Sequence, residues 1–205
     1  MFGHNRIFVM FKLCAWVILL TACAATLSQK IKDGGVISAE PCSAPCFWGV
    51  TPGVTAKDEV IVILNQQNAI ADCNVNNFDI TCEHKILIEF NSDYVVDTVS
   101  FTPTRKITVQ DVTKRYGLPN AVAILDLTLL SESPETRMII FFDGIKAVFI
   151  LSSQKSLSYS LKPSAKISDV VYLDAYAYDQ FVASTKDKVN WSGYGTYDIE
   201  STENQ

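Results

Sequence analysis

The chain has 205 residues, 48% of them hydrophobic, and carries 22 acidic against 17 basic residues, a formal net charge of −5. That length and apolar content suffice for one ordinary domain with a sizeable core, and the acidic balance argues against nucleic acid as a partner. No low-complexity run interrupts the chain before its polar end.

Residues 1–22 hold Arg6 and Lys12 and no acid, then the apolar run LCAWVILL, then Thr21 and Ala22 ahead of Cys23. A charged segment before a short apolar stretch is the layout of a secretory signal, and the stretch is too short for a comfortable membrane span. LLTAC has the form of the bacterial lipobox, in which cleavage before the cysteine is coupled to its acylation with palmitate-type chains. An ordinary signal peptide or an anchor helix is the competing reading, and the flanks favour the lipobox. The expected organisation is a signal peptide over 1–22 and a lipidated Cys23 holding the mature chain on an extracytoplasmic membrane surface. Without Arg6 and Lys12, 15 basic residues face 22 acidic ones, a balance of −7. The rest of 23–40, with its Asp-Gly-Gly and little periodicity, reads as a flexible tether.

Four cysteines remain once Cys14 leaves with the signal and Cys23 is lipidated: Cys42, Cys46, Cys73 and Cys82. An even number in an exported domain points to disulfides. Cys73 with Cys82 across NVNNFDIT, and Cys42 with Cys46 across Ser-Ala-Pro, is the favoured pairing, while a crosslink from the Cys42 segment to the Cys73 segment stays open. A zinc or thiol-redox role fits less well. The spacing is CxxxC, His84 is the single histidine of the mature chain, and no helix N-terminus lies close enough to stabilise a thiolate.

Thr55-Ala-Lys-Asp58 has the form of a capping box, with Pro52 and Gly53 turning the chain ahead of it and Val60, Ile61, Ile63 and Leu64 at helical spacing behind. Phe47 and Trp48 have the size to cover the first turns of this helix. The same grammar returns about fifty residues on. Thr108-Val-Gln-Asp111 is again a capping box, Ile107 and Val112 occupy the positions of a hydrophobic staple, and Gly117 and Pro119 mark the end. Strand-like segments follow each helix: KILIEFN and YVVDTVSF about Asn91-Ser-Asp93, then AVAILDLTLL, and RMIIFF with KAVFIL about Asp143-Gly144. The reading is an α+β domain over 41–197. Two helix-then-antiparallel-strands repeats, about 41–105 and about 106–185, share one sheet with both helices packed on one face.

TPGVT opening a helix and a second helix ending in Tyr-Gly-Leu-Pro resemble the repeat of small outer-membrane lipoproteins of the BamE (SmpA/OmlA) type and of the β-lactamase inhibitor protein. The order PCxxPCFWGVTPGVT, DVTKRYGLP, IIFFDGIKAVFI and WSGYGTY is more closely similar to a family of uncharacterised lipoproteins of Chloroflexota-type bacteria. The resemblance spans nearly all of 41–197. It implies a cell-envelope lipoprotein without assigned activity and, for the wider fold, binding of other proteins through a concave sheet.

Downstream, KISDVVYLD reads as a last strand, and AYAYDQFVAS as a short helix gathering Tyr176, Tyr178 and Phe181. The tail 186–197 carries Trp191, Tyr194 and Tyr197 between small residues, and 198–205 reads as a disordered end. The three rings are candidate partner-binding residues. The plainer reading, that they fold back and plug the core, agrees with how aromatics are usually buried.

No GxSxG, HExxH, phosphate-binding loop or dinucleotide fingerprint stands in a fitting context, and His84 has no nucleophile or orienting acid assigned by any motif. The functional expectation is a non-enzymatic, lipid-anchored binding or assembly module with an envelope protein as partner and neither cofactor nor metal. The alternative is an envelope hydrolase or glycan-binding protein with a cleft.

Overall fold

A computed structural model describes residues 33–67, 69–126, 135–156 and 158–198. Cys23, residues 1–22 and the stretch from 199 onward lie outside these residues. Helix α1 (Lys57–Gln66) is followed by β1 (Cys73–Val75), β2 (Asp79–Cys82), β3 (Ile86–Phe90) and β4 (Val96–Phe101). Helix α2 (Val109–Tyr116) then leads to β5 (Ala121–Asp126), β6 (Thr136–Phe142), β7 (Ala147–Leu151), β8 (Ser158–Leu161) and β9 (Ile167–Leu173). Helix α3 (Ala175–Ser184), β10 (Val189–Asn190) and β11 (Gly195–Asp198) complete the order.

Nine strands form one sheet in the order β1-β2-β3-β4-β9-β7-β6-β5-β10, and β11 pairs with β8 separately. Every pairing is antiparallel. This overturns the expected pair of helix-then-strands repeats. Among the described residues the chain is mainly one broad antiparallel sheet with three short helices, and β9 lies between β4 and β7, joining two groups of strands that are not copies of each other. A capping box reports where a helix starts and says nothing of how small it stays beside the sheet.

Alternation along the strands divides the burial into two layers. Ile88, Val99, Tyr172, Phe149 and Ile140 point to one face, where Val60 and Leu64 of α1, Val109 and Val112 of α2 and Tyr159 and Tyr197 of the β8–β11 pair meet them. Ala123, Phe141, Val148 and Leu173 point to the other face, where Tyr178 of α3 covers them. The helices therefore do not share one face. On α3, Tyr178 is buried and Phe181 lies 6.0 Å from Phe141, whereas Tyr176 is 74% exposed, so the three rings are not gathered. Tyr178 donates to Asp143 (2.6 Å), and desolvation raises its phenol pKa, with the bond to the Asp143 carboxylate adding to the rise.

The second capping box forms as read. Thr108 Oγ1 accepts from the Asp111 N–H, and the Asp111 carboxylate accepts from the Thr108 hydroxyl (2.7 Å) and from Thr108 N, which lowers the Asp111 pKa. The first box is displaced by one residue. Ala56 is the N-cap, Glu59 accepts from its N–H at 3.1 Å, and Thr55 Oγ1 instead accepts from Thr51 N within the preceding turn. Since alanine has no acceptor for the α1 N–H groups, Ala56→Ser should stabilise the domain by about 1 kcal/mol, a rise in Tm of roughly 2–4 °C. An unchanged melting curve would refute this cap assignment.

Residues 33–38 lie inside the segment expected to be tether, yet they are folded. Asp33 is buried, and its carboxylate accepts from Gly35 N, Ile37 N, Ser38 N and Ser38 Oγ. Val36 is fully buried, and its carbonyl accepts from the Tyr116 hydroxyl. Four bonds to one carboxylate make this short polar segment worth burying. Phe47 lies 4.6 Å from Trp48 and 4.4 Å from Phe101, ring centre to ring centre, in the core layer that also holds Val60 and Leu64 of α1.

The favoured disulfides are both present. Cys42 is joined to Cys46, and Cys73 to Cys82, the latter pair directly opposed in the β1–β2 ladder.

Candidate binding surface

The tail rings do not form one exposed strip. Tyr197 is 9% exposed, and its hydroxyl donates to Gly193 O at 2.6 Å. Trp191 is half-buried against the first core layer, with Tyr194 edge-on at 5.6 Å, and Tyr194 alone is exposed, its hydroxyl 3.3 Å from Thr113. Pairing of β11 with β8 carries Tyr197 inward, a long-range event with no local signal in WSGYGTY.

A different aromatic pair stands out on the surface. Phe78, in the β1–β2 turn, and Tyr94, in the β3–β4 turn, are 61% and 49% exposed and stack with ring centres 6.4 Å apart. Three local devices hold them. Asn91 Oδ1 accepts from Asp93 N and Val95 N, closing the turn. Lys57 Nζ donates to Asn76 O and Asn77 O at 2.6 and 3.1 Å, fastening the β1–β2 turn to α1. The same ammonium lies 5.9 Å from the Tyr94 ring centre. Tyr94 itself has φ 58°, a left-handed conformation that costs a bulky residue on the order of 1–2 kcal/mol and that glycine takes freely. The cue was present in Asn91-Ser-Asp-Tyr94, where a turn position suited to glycine carries a tyrosine.

The polar face of the neighbouring strands is acidic. Asp79, Glu89 and Thr98 stand in one cross-strand row, and Asp97 occupies the irregularity beside it. Partial desolvation raises the Glu89 pKa, and the charges of Asp97 and Asp79 raise it further. Folded chain thus holds the Glu89 proton more tightly than unfolded chain, so this group's contribution to stability falls as pH rises through the carboxylate range. Glu89→Gln should raise Tm by about 1–2 °C at pH 7, and the two melting points should converge below about pH 4. A difference that persists in acid would assign the effect to packing.

Among the described residues no three His, Cys, Asp or Glu side chains are grouped to hold a metal ion, and the His84 side chain lies outside the description. A recess of about 100 Å³ at the β5 edge is lined by Ala123, Ile124, Asp187, Lys188, Val189, Tyr197 and Asp198, with no histidine, serine or cysteine in it. Among the described residues no helix is long and apolar enough to cross a membrane. No family model, curated protein or solved structure matches this chain.

Proposed function

We propose that this chain is a lipid-anchored extracytoplasmic lipoprotein, acylated at Cys23, that binds an envelope protein through the Phe78–Tyr94 surface. The observation that carries the reading is the stacked, exposed ring pair held in place by a left-handed tyrosine. Exposed aromatics of this kind supply contact area at low entropic cost and are enriched among binding hot spots. Asp79, Glu89, Asp93 and Asp97 nearby select a partner segment that sets lysine or arginine beside an apolar side chain. The disulfides accord with an oxidising compartment.

The test places a photo-crosslinking amino acid at the exposed position Ser92 of the full chain in cells, with Ser164 as a control. Expected is one envelope protein crosslinked from Ser92 and not from Ser164, with the adduct weakened by salt and lost on Phe78→Ser. Equal labelling from both positions, or an adduct that survives Phe78→Ser, overturns the surface assignment. Mass spectrometry of the purified protein tests the anchor: an intact 1–22 segment or an unmodified Cys23 overturns it.

A further inference from the structure

The charges of the domain are segregated along the strand direction. Strands β4 and β9 run antiparallel, with Phe101 opposite Val170 and Thr98 opposite Leu173, so the start of β4 and the end of β9 share one end of the sheet. That end carries Tyr94, Asp93, Asp97 and Asp174. Its two lysines are engaged internally, Lys57 with the carbonyls of Asn76 and Asn77 and Lys146 in an ion pair with Asp179 at 3.2 Å.

The opposite end, roughly 17 Å away along β4, is basic. Arg105, Lys106, Lys114, Arg115, Lys162 and Lys166 are all exposed there. They belong to one surface, because the 162–166 loop is hydrogen-bonded to the start of α2: Val109 N donates to Ala165 O, Gln110 N to Pro163 O and Ile167 N to Ile107 O. Of the acids at this end, Asp111 is turned back onto Thr108, Asp169 accepts from Thr102 Oγ1 and Asp33 is satisfied by residues 35–38, while Glu83 is exposed in the β2–β3 turn.

The N-terminal segment arrives at this same end. Gly34 abuts Phe101 at the end of β4, and Val36 is held by Tyr116 in the last turn of α2. Lys30 and Lys32 immediately precede it in sequence, and Cys23 lies ten Cα–Cα steps before Asp33, a reach of at most about 35 Å.

We infer that the face formed by α2 and the 162–166 loop docks on an anionic lipid bilayer, orienting the acidic, aromatic end away from the membrane. The inference rests on the lipid-anchor reading for its setting. Its physical basis is that a short tether keeps the domain near the bilayer, where anionic headgroups attract the basic end and repel the acidic one within a Debye length. Although the mature chain is acidic overall, its dipolar charge distribution fixes the orientation.

The test is lysine acylation followed by mass spectrometry on the full lipidated chain, incubated with vesicles of phosphatidylglycerol or of phosphatidylcholine. Expected on phosphatidylglycerol is labelling at Lys106, Lys114, Lys162 and Lys166 slowed at least about threefold, with Lys57, Lys146 and Lys188 unchanged and the difference removed by 0.5 M salt, about a 4 Å screening length. Equal rates on the two lipids, or slowing of all lysines alike, overturns the inference. Alkaline extraction of the same vesicles reports on the anchor separately: release from both lipids fails the anchor, while the labelling pattern still decides the face.

Discussion

Gly34→Ala should cost the domain about 3 kcal/mol or more, lowering Tm by roughly 6–12 °C. Gly34 has φ 63°, and a Cβ there would lie 2.5 Å from Phe101 Cε2 and 2.9 Å from Phe47 Cδ2. The left-handed backbone costs an alanine about 1 kcal/mol, and the clash falls on rings stacked 4.4 Å apart that cannot swing aside. Gly117 is the control, since its φ is 86° and a Cβ there meets nothing within 4 Å. Gly117→Ala should therefore cost only the backbone strain, about 1 kcal/mol or 2–4 °C. Thermal denaturation of the two variants separates strain from collision. Equal shifts would show that the 33–38 segment is not packed on Phe101, and the folded unit would then begin near the Cys42–Cys46 loop.

Tyr94→Gly should leave Tm unchanged or raise it by up to about 2 °C, while weakening capture of the partner at least tenfold. Glycine relieves the left-handed strain at φ 58°. Against that gain stand the lost stack on Phe78 and the lost Lys57 contact, each worth about 0.5–1 kcal/mol at an exposed site. A packing residue behaves in the opposite way, because removing it lowers stability first and binding only as a consequence. Calorimetry with crosslinking from Ser92 in the same variant reads both quantities. A fall of several degrees, or capture that persists, would make Tyr94 a structural residue and remove the basis of the proposed surface.

The two proposals are linked by geometry. The surface offered to a protein partner and the surface offered to lipid lie at opposite ends of β4 and β9. An anchored domain resting on its basic end holds the Phe78–Tyr94 pair at its greatest distance from the bilayer.

Much of the local structure was legible in the residues themselves. The α2 capping box, the hairpin strands about Asp143-Gly144, the α3 segment AYAYDQFVAS and both disulfides depend on neighbours within a few positions, where side-chain chemistry and backbone preference act directly. Ala56 rather than Thr55 caps α1 because Thr55 is claimed by the turn at Thr51, a competition that the S/T-x-x-acid pattern does not encode.

By itself the sequence determined the periodicity of the strands, the start of α2 and the net charge, and it favoured the cysteine pairs that form. Only the tertiary structure decided that β9 lies between β4 and β7, that α3 covers the face opposite α1 and α2, and that Tyr197 is buried while Phe78 and Tyr94 are exposed. The physical reason is range. Caps, turns and alternation are set by interactions a few residues long, whereas strand order, the covered face and the separation of charge follow from which distant apolar surfaces meet.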